Sequence, residues 1–260
     1  MNNKRNETTI TSEEIMSILR RYNIGKKPLA RLLGWGETTI LRYIDGDVPT
    51  CEYSKKLRAF LGDPEYYYEI LENNHNLITG VAYRKSRKAT LETILSSRIN
   101  CISYYIMNIS KGDISTRYLQ NILYYSQVFS LALYNKELFA EDCMVNDEYI
   151  PYEKQHKRME RNSPYIIQCN CITLTNTEKN FIKEIYDAFS WYGPKAFNEM
   201  TKYDRSAIKV TRDQNDNVIF TKDSLKEYYK EVLKKYNIST INEINRYPRM
   251  RLREIGERAK

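Results

Sequence analysis

Glu37, Thr38, Thr39 and Arg42 lie within nine residues of one another around the short stretch ETTILRYIDG. Two small hydroxyls, a carboxylate and a long guanidinium are the groups that meet base edges in the major groove of DNA. Few other residues gather into a set that could do chemistry. The five cysteines, Cys51, Cys101, Cys143, Cys169 and Cys171, are odd in number and contain no CxxC, and the histidines are only His75 and His156. A disulfide framework or a four-ligand zinc site has little support from that inventory. Cys169 and Cys171 form half a metal site at most, and their ITL-rich surroundings suit two thiols on one face of a strand. Cys143, His156 and Asp147 are the one nucleophilic triad that can be assembled, and nothing in their spacing specifies it. No phosphate-cradling glycine loop or paired catalytic carboxylates occur between residues 99 and 245. The expectation is a protein without catalytic residues, cofactor or metal.

The elements that must position the first group are two short helices. Leu29, Leu32 and Leu33 give the first an apolar face, and Ala30 lets a neighbour come close. Gly34 and Gly36 flank Trp35 where the chain reverses. Ile40, Tyr43 and Ile44 then fall at i, i+3 and i+4, which buries one face of the second helix and leaves Glu37, Thr38, Thr39 and Arg42 on the other. The same pattern also suits an αα-hairpin that only packs.

The spacing Ala30, Gly34, Ile40 resembles the helix-turn-helix of the Cro/lambda-repressor-like family. That resemblance implies that Glu37, Thr38, Thr39 and Arg42 face bases and that Lys26 and Lys27, opening the preceding helix, meet phosphates. Tyr43 departs from the family, which more often has an aliphatic there. The longer run from Gly34 to Asn74 resembles the helix-turn-helix of antitoxins from bacterial toxin–antitoxin loci and their prophage relatives. The zinc module of some of those relatives has no counterpart in these cysteines.

Around this motif, Thr11-Ser12-Glu13-Glu14 reads as a capping box that starts a helix bearing Ile15, Ile18, Leu19 and Tyr22, after a disordered arm over 1–10. A fourth helix over Cys51–Leu61, with Tyr53, Leu57 and Phe60 inward, and a fifth opened by Pro64 complete a five-helix domain over residues 1–75. Residues 76–98 read as a connecting helix with Val81, Ala82, Ala89, Leu91, Ile94 and Leu95 on its apolar face and YRKSRK exposed. The net charge of +8 is concentrated in the N-terminal helices, in residues 77–98 and in residues 246–260, while the long middle is balanced. That placement suits a polyanion near the N-terminal third, although a basic run can equally be a solvated face.

From residue 99 to 236 a second domain is expected. Its landmarks are a long helix over Thr116–Tyr134, a capping box at Thr175–Glu178, a stop at Gly193-Pro194, a loop or hairpin around Asn215–Asn217, and a last helix over Asp223–Tyr236. YIIQCNCITL reads as β-prone, and residues 237–260 as a basic tail. Twenty-three tyrosines against seven phenylalanines line either a core or a recognition surface. The fold class expected is mainly α, a five-helix N-terminal domain joined to a mostly helical α+β domain with a few short strands.

The segments ISTRYLQNILYYSQ, LALYNKELF, TEKNFIKEIYDAF, KAFNEMTK and SLKEYYKE occur in an order that resembles the Panacea domain, the SocA-like antitoxin domain. The family's His-Gly-Pro-Val element is replaced here by VNDEYIPYEKQ, which keeps Tyr149, Pro151 and Tyr152. The resemblance implies an antitoxin that binds and neutralises a cognate toxin, with the helix-turn-helix regulating its own operon as a homodimer on double-stranded operator DNA. The alternative is a stand-alone prophage-type repressor whose C-terminal half dimerises or senses a signal. Tyr118, Asn121, Tyr124, Tyr125 and Gln127, near the polar side of the long helix, are the expected partner contacts, unless they pack within their own domain. No apolar run approaches the ~20 residues of a membrane span and the N-terminus lacks a signal-peptide core, so a cytoplasmic location is expected.

Overall fold

The structure is a computed structural model that describes residues 9–146, 148, 150–161 and 172–258, with the backbone alone at 161. Most of the expected N-terminal arm, Asp147, Tyr149, Cys169, Cys171 and most of YIIQCNCITL therefore lie outside the described residues. What is described is mainly helical, thirteen α-helices with one three-stranded antiparallel sheet. The chain divides into two compact units, Met1–Ser96 and Ser97–Lys260.

In the first unit, α1 (Ser12–Arg21) opens on the expected capping box. The Glu14 amide donates to Thr11 Oγ1 at 3.2 Å, and the Glu14 carboxylate accepts from the Thr11 amide at 2.8 Å. α2 (Lys26–Leu32), α3 (Thr39–Ile44), α4 (Cys51–Gly62) and α5 (Pro64–Asn73) follow. Their apolar stripes meet in one core, where Ile15, Ile18, Leu29, Ile40, Leu57 and Phe60 are fully buried. Each such aliphatic contributes about 1.5–3 kcal/mol by leaving water. Tyr22 stacks on Tyr67 at 3.8 Å, and its hydroxyl donates to the Phe60 carbonyl, so the one polar atom of that ring is satisfied.

α6 (Gly80–Leu95) forms within the 76–98 stretch expected to be a connecting helix, but belongs to the first unit rather than forming a segment of its own. It packs along α5 within the first unit, making that unit six-helical. Its buried stripe includes Ser86 and Thr90, both fully buried, whereas Val81 is 55% exposed. Ser86 Oγ lies 2.7 Å from the Tyr67 hydroxyl, and Glu72 takes both the Tyr83 hydroxyl at 3.0 Å and Arg87 Nε at 3.1 Å. Of YRKSRK only Arg84, Lys85 and Lys88 remain exposed. Part of the stripe was hidden because two of its members are hydroxyls, Ser86 satisfied by the Tyr67 phenol and Thr90 donating to the Ser86 carbonyl at 2.7 Å.

The second unit is built around α8 (Thr116–Tyr134), with α7 (Arg98–Ile109), α9 (Glu153–Arg161), α10 (Asn176–Phe189), α11 (Pro194–Ser206) and α12 (Lys222–Lys235) in the same unit. All of them pack directly on α8, and α13 (Arg246–Arg258) reaches it through Tyr247, whose ring lies 4.9 Å from that of Phe129. Every residue of α8 from Leu119 to Ala132 is buried, the pattern of a helix enclosed on all sides. β1 (Cys143–Met144), β2 (Val210–Arg212) and β3 (Val218–Phe220) form an antiparallel sheet in the order β1-β3-β2. The β2–β3 turn is closed by Asp213, whose Oδ1 accepts from the amides of Asn215 at 2.8 Å and Asn217 at 2.9 Å.

Residues 237–258 are not a tail. They carry α13, which packs on α11 and buries Tyr247, Pro248 and Arg251. At the start of α10 the second capping box forms as expected, and Glu178 Oε1 also accepts from Arg98 Nη2 at 2.6 Å. Burial pushes this carboxyl up, but the Thr175 amide and hydroxyl and the Arg98 guanidinium outweigh burial and hold it below its ordinary value. A depressed carboxyl lends stability above its unfolded value of about 4.3, and loses it as pH falls through the folded one. Glu178→Gln keeps an acceptor for the Thr175 amide but loses the charge that Arg98 meets, and is therefore expected to cost about 1 kcal/mol near neutral pH. Thermal melts should converge with wild type on acidification, and a gap that persists in acid would assign the loss to packing instead.

Candidate nucleic-acid interface

Two Schellman turns set the geometry of the α2–α3 motif. α2 ends at Gly34, whose φ of +70° allows its amide to reach the Arg31 carbonyl at 3.0 Å while the Trp35 amide reaches Ala30 at 2.8 Å. α3 ends in the same way at Gly46, φ +119°, and the Asp47 amide returns to the Arg42 carbonyl at 2.9 Å. Ala30 and Ile40 are fully buried at the crossing of the helices. Trp35 stacks on Tyr53 at 4.1 Å, and Tyr43 meets the same ring edge-on at 6.3 Å. Tyr43, the departure from the usual aliphatic, thus fixes α3 to α4 through an aromatic contact rather than aliphatic packing.

Against that frame Glu37, Thr38 and Arg42 are exposed, while Thr39 is half-buried at the first residue of α3. Thr38 occupies the N-cap but makes no capping hydrogen bond through its side chain. Lys26 is half-buried and Lys27 exposed at the start of α2. The structure brings Lys27 and Glu37 together directly, Nζ to Oε2 at 3.6 Å, and adds a residue the sequence did not single out. Arg31 donates to Glu37 through both Nε, at 2.9 Å, and Nη2. These donations, with Lys27 adding to them, hold the Glu37 carboxyl below the usual range. Arg42 is drawn to Asp47 by the α3 turn, Nε to Oδ2 at 2.7 Å. Leu41, 39% exposed, adds an apolar atom set beside Arg42 of the kind that meets a thymine methyl. Arg31 was legible in principle, four residues after Lys27 on one helix face.

The partner contacts expected on α8 are placed elsewhere. Tyr124 and Tyr125 are fully buried, Gln127 and Asn121 are buried, and Tyr118 is half-buried with its hydroxyl donating to the Phe189 carbonyl at 2.6 Å. Gln127 instead clips the segment after α8, donating to the Phe139 carbonyl and accepting from the Leu138 amide, both at 2.9 Å. The tyrosines surround Asp204, which is fully buried on α11. The hydroxyls of Tyr125, Tyr228 and Tyr229 stand 2.9, 3.2 and 3.2 Å from its carboxylate, and that of Tyr247 also donates to it. Arg251 Nε lies 2.8 Å from Oδ1, an ion-pair contact off the line of a hydrogen bond. Burial raises the Asp204 carboxyl above its ordinary value, and Arg251 and the phenols of Tyr247, Tyr125 and Tyr229 pull it back. All the groups facing it are donors, which favours the carboxylate. This is an internal hub, in which four of the twenty-three tyrosines meet one carboxylate.

The Cys143 thiol is buried, and burial pushes it up to about 12, the opposite of what a nucleophilic thiolate requires. His156 Nε2 sits 3.2 Å from Glu160. Among the described residues no group of three or more His, Cys, Asp or Glu is placed to hold a metal ion, and no helix is long and apolar enough to cross a membrane. Compared with protein-family models, curated proteins and solved structures, the chain matches none.

Proposed function

We propose that this chain is a cytoplasmic antitoxin that binds double-stranded operator DNA as a homodimer through α2–α3 and neutralises a toxin through its C-terminal unit. The observation that carries the DNA half is the exposed Glu37–Thr38–Leu41–Arg42 surface, held between two Schellman turns beside the cations of α2. The toxin half is supported by the resemblance of residues 99–236 to the Panacea domain. For a protein partner, the surface of the second unit offers Trp191, 90% exposed on the turn between α10 and α11. Tryptophan is the side chain most enriched among interface anchors.

A growth assay tests the reading. Inducing the neighbouring open reading frame should arrest growth, and co-expression of the full chain should restore it. Trp191→Ala should weaken neutralisation at least ~10-fold with an unchanged thermal melt, because an exposed indole anchors a partner without supporting the fold. Full neutralisation by that variant would move the contact elsewhere. The burial of Asn121, Tyr124, Tyr125 and Gln127 favours a second reading, a prophage-type repressor whose C-terminal unit dimerises or senses a signal. Absence of any toxicity to neutralise would select it.

A further inference from the structure

Lys27 and Arg31 rise from one face of α2, and Glu37 lies across the turn and occupies both. Arg31 Nε and Nη2 donate to Oε1, the first at 2.9 Å, while Lys27 Nζ stands 3.6 Å from Oε2. A guanidinium and an ammonium closing on one oxyanion form the arrangement that also grips a phosphodiester. The side chains are open to water, 71% for Lys27, 47% for Arg31 and 43% for Glu37, so the pairs are weak and exchangeable. Glu37 directly precedes Thr38 and Thr39 at the start of α3, so it belongs to the same exposed surface as Arg42.

We propose that Lys27 and Arg31 form a seat for a backbone phosphate of duplex DNA, and that Glu37 is its resident occupant and gate. The proposal rests on the DNA-binding reading and adds Arg31 and a role for Glu37 to it. A phosphate must displace the carboxylate to reach the seat. On arbitrary sequence the displaced Glu37 then faces a polyanion with no donor and opposes binding. On a site that presents a cytosine N4 amino group, the carboxylate gains a donor and the opposition is relieved. Glu37 thereby weakens binding to the wrong sequence more than to the right one.

The test uses the full chain and a random-sequence duplex, with affinity followed by fluorescence anisotropy over a fourfold range of salt. Glu37→Gln should bind more tightly than wild type and show a steeper salt dependence, by about 0.9 in slope for each cation released. For one or two released cations, the fourfold rise in salt costs the variant about 3- to 12-fold more affinity than it costs wild type. Arg31→Ala added to Glu37→Gln should remove about one contact's worth of that slope. Glu13→Gln, which removes the same charge from the first turn of α1, should leave the slope unchanged and so separates a gate from a change in net charge. Equal slopes for wild type and Glu37→Gln overturn the gate while the DNA reading stands. No duplex binding by either protein overturns the DNA reading and the gate with it. Selection from a random duplex pool reads the specificity role: a cytosine required by wild type should cease to be required by Glu37→Gln, and identical preferences would overturn it.

Discussion

Asp204→Asn is expected to destabilise the C-terminal unit by about 3–5 kcal/mol, the cost of removing one partner from a buried ion pair. The side chain is fully buried, and Arg251 and the phenols of Tyr125, Tyr228, Tyr229 and Tyr247, four in all, converge on it. Asparagine keeps the shape but turns one acceptor into a donor aimed at other donors, and leaves the guanidinium with Glu254, 2.7 Å from its Nη1, as its remaining counter-charge. Arg251 cannot recover solvent by swinging out, because its side chain is 3% exposed and lies over the rings of Tyr203, Tyr236 and Tyr247 at 5.0 to 5.6 Å. For a unit of this size each kcal/mol shifts the melting temperature by about 2–4 °C, so calorimetry should record a fall of roughly 6–20 °C. Combining Asp204→Leu with Arg251→Met removes the charge imbalance but leaves the buried hydroxyls of Tyr125, Tyr229 and Tyr247 without this acceptor, so it should not recover wild-type stability. A shift in Asp204→Asn worth under about 1 kcal/mol would mean that the carboxyl is neutral or hydrated in the folded chain.

Arg42→Ala is expected to cost about 1–3 kcal/mol of affinity for the operator, the worth of a base-edge pair, with little change in affinity for unrelated duplex. The guanidinium is paired to Asp47 in the free chain, yet its side chain is 67% exposed, so exchanging that carboxylate for a guanine edge is inexpensive. Lys27→Ala should behave differently, lowering affinity on every sequence and flattening the salt dependence by about one unit. Binding titrations on the promoter region of the chain's own gene distinguish the two. Operator affinity unaltered by Arg42→Ala would remove α3 from the recognition role.

What could be read from the sequence divides by the range of the interaction that decides it. The caps at Thr11 and Thr175, the turn at Gly34 and the extent of α8 depend on residues within a few positions of each other, and local rules located them. The face of α8 was misread because the rule that polar side chains point outward fails where distant partners exist. Tyr125 meets Asp204 from 79 positions away, and Gln120 meets Gln155 from 35. The supposed tail was misread for the same reason. Arg251 is buried against a carboxylate on α11, 47 positions away, and the hydrophobic pattern of α13 rests on a tyrosine and a proline within a basic run. At the candidate interface the residues proposed to face bases stood in one short stretch, whereas the ion pairs that occupy them, Arg31 to Glu37 and Arg42 to Asp47, needed the turns to be built first.

The chain's two tryptophans stand one in each unit and in opposite surroundings, Trp35 stacked on Tyr53 and Trp191 90% in water. Indole emission moves to longer wavelength when the ring passes from protein to water, and Trp191 has already made that passage in the native state. The wavelength shift on denaturation therefore comes almost wholly from Trp35. Excited beyond the tyrosine band, the whole chain becomes an optical probe of its N-terminal unit. Far-ultraviolet dichroism weighs every helix, so the two signals coincide in a denaturant titration only if both units unfold at the same midpoint.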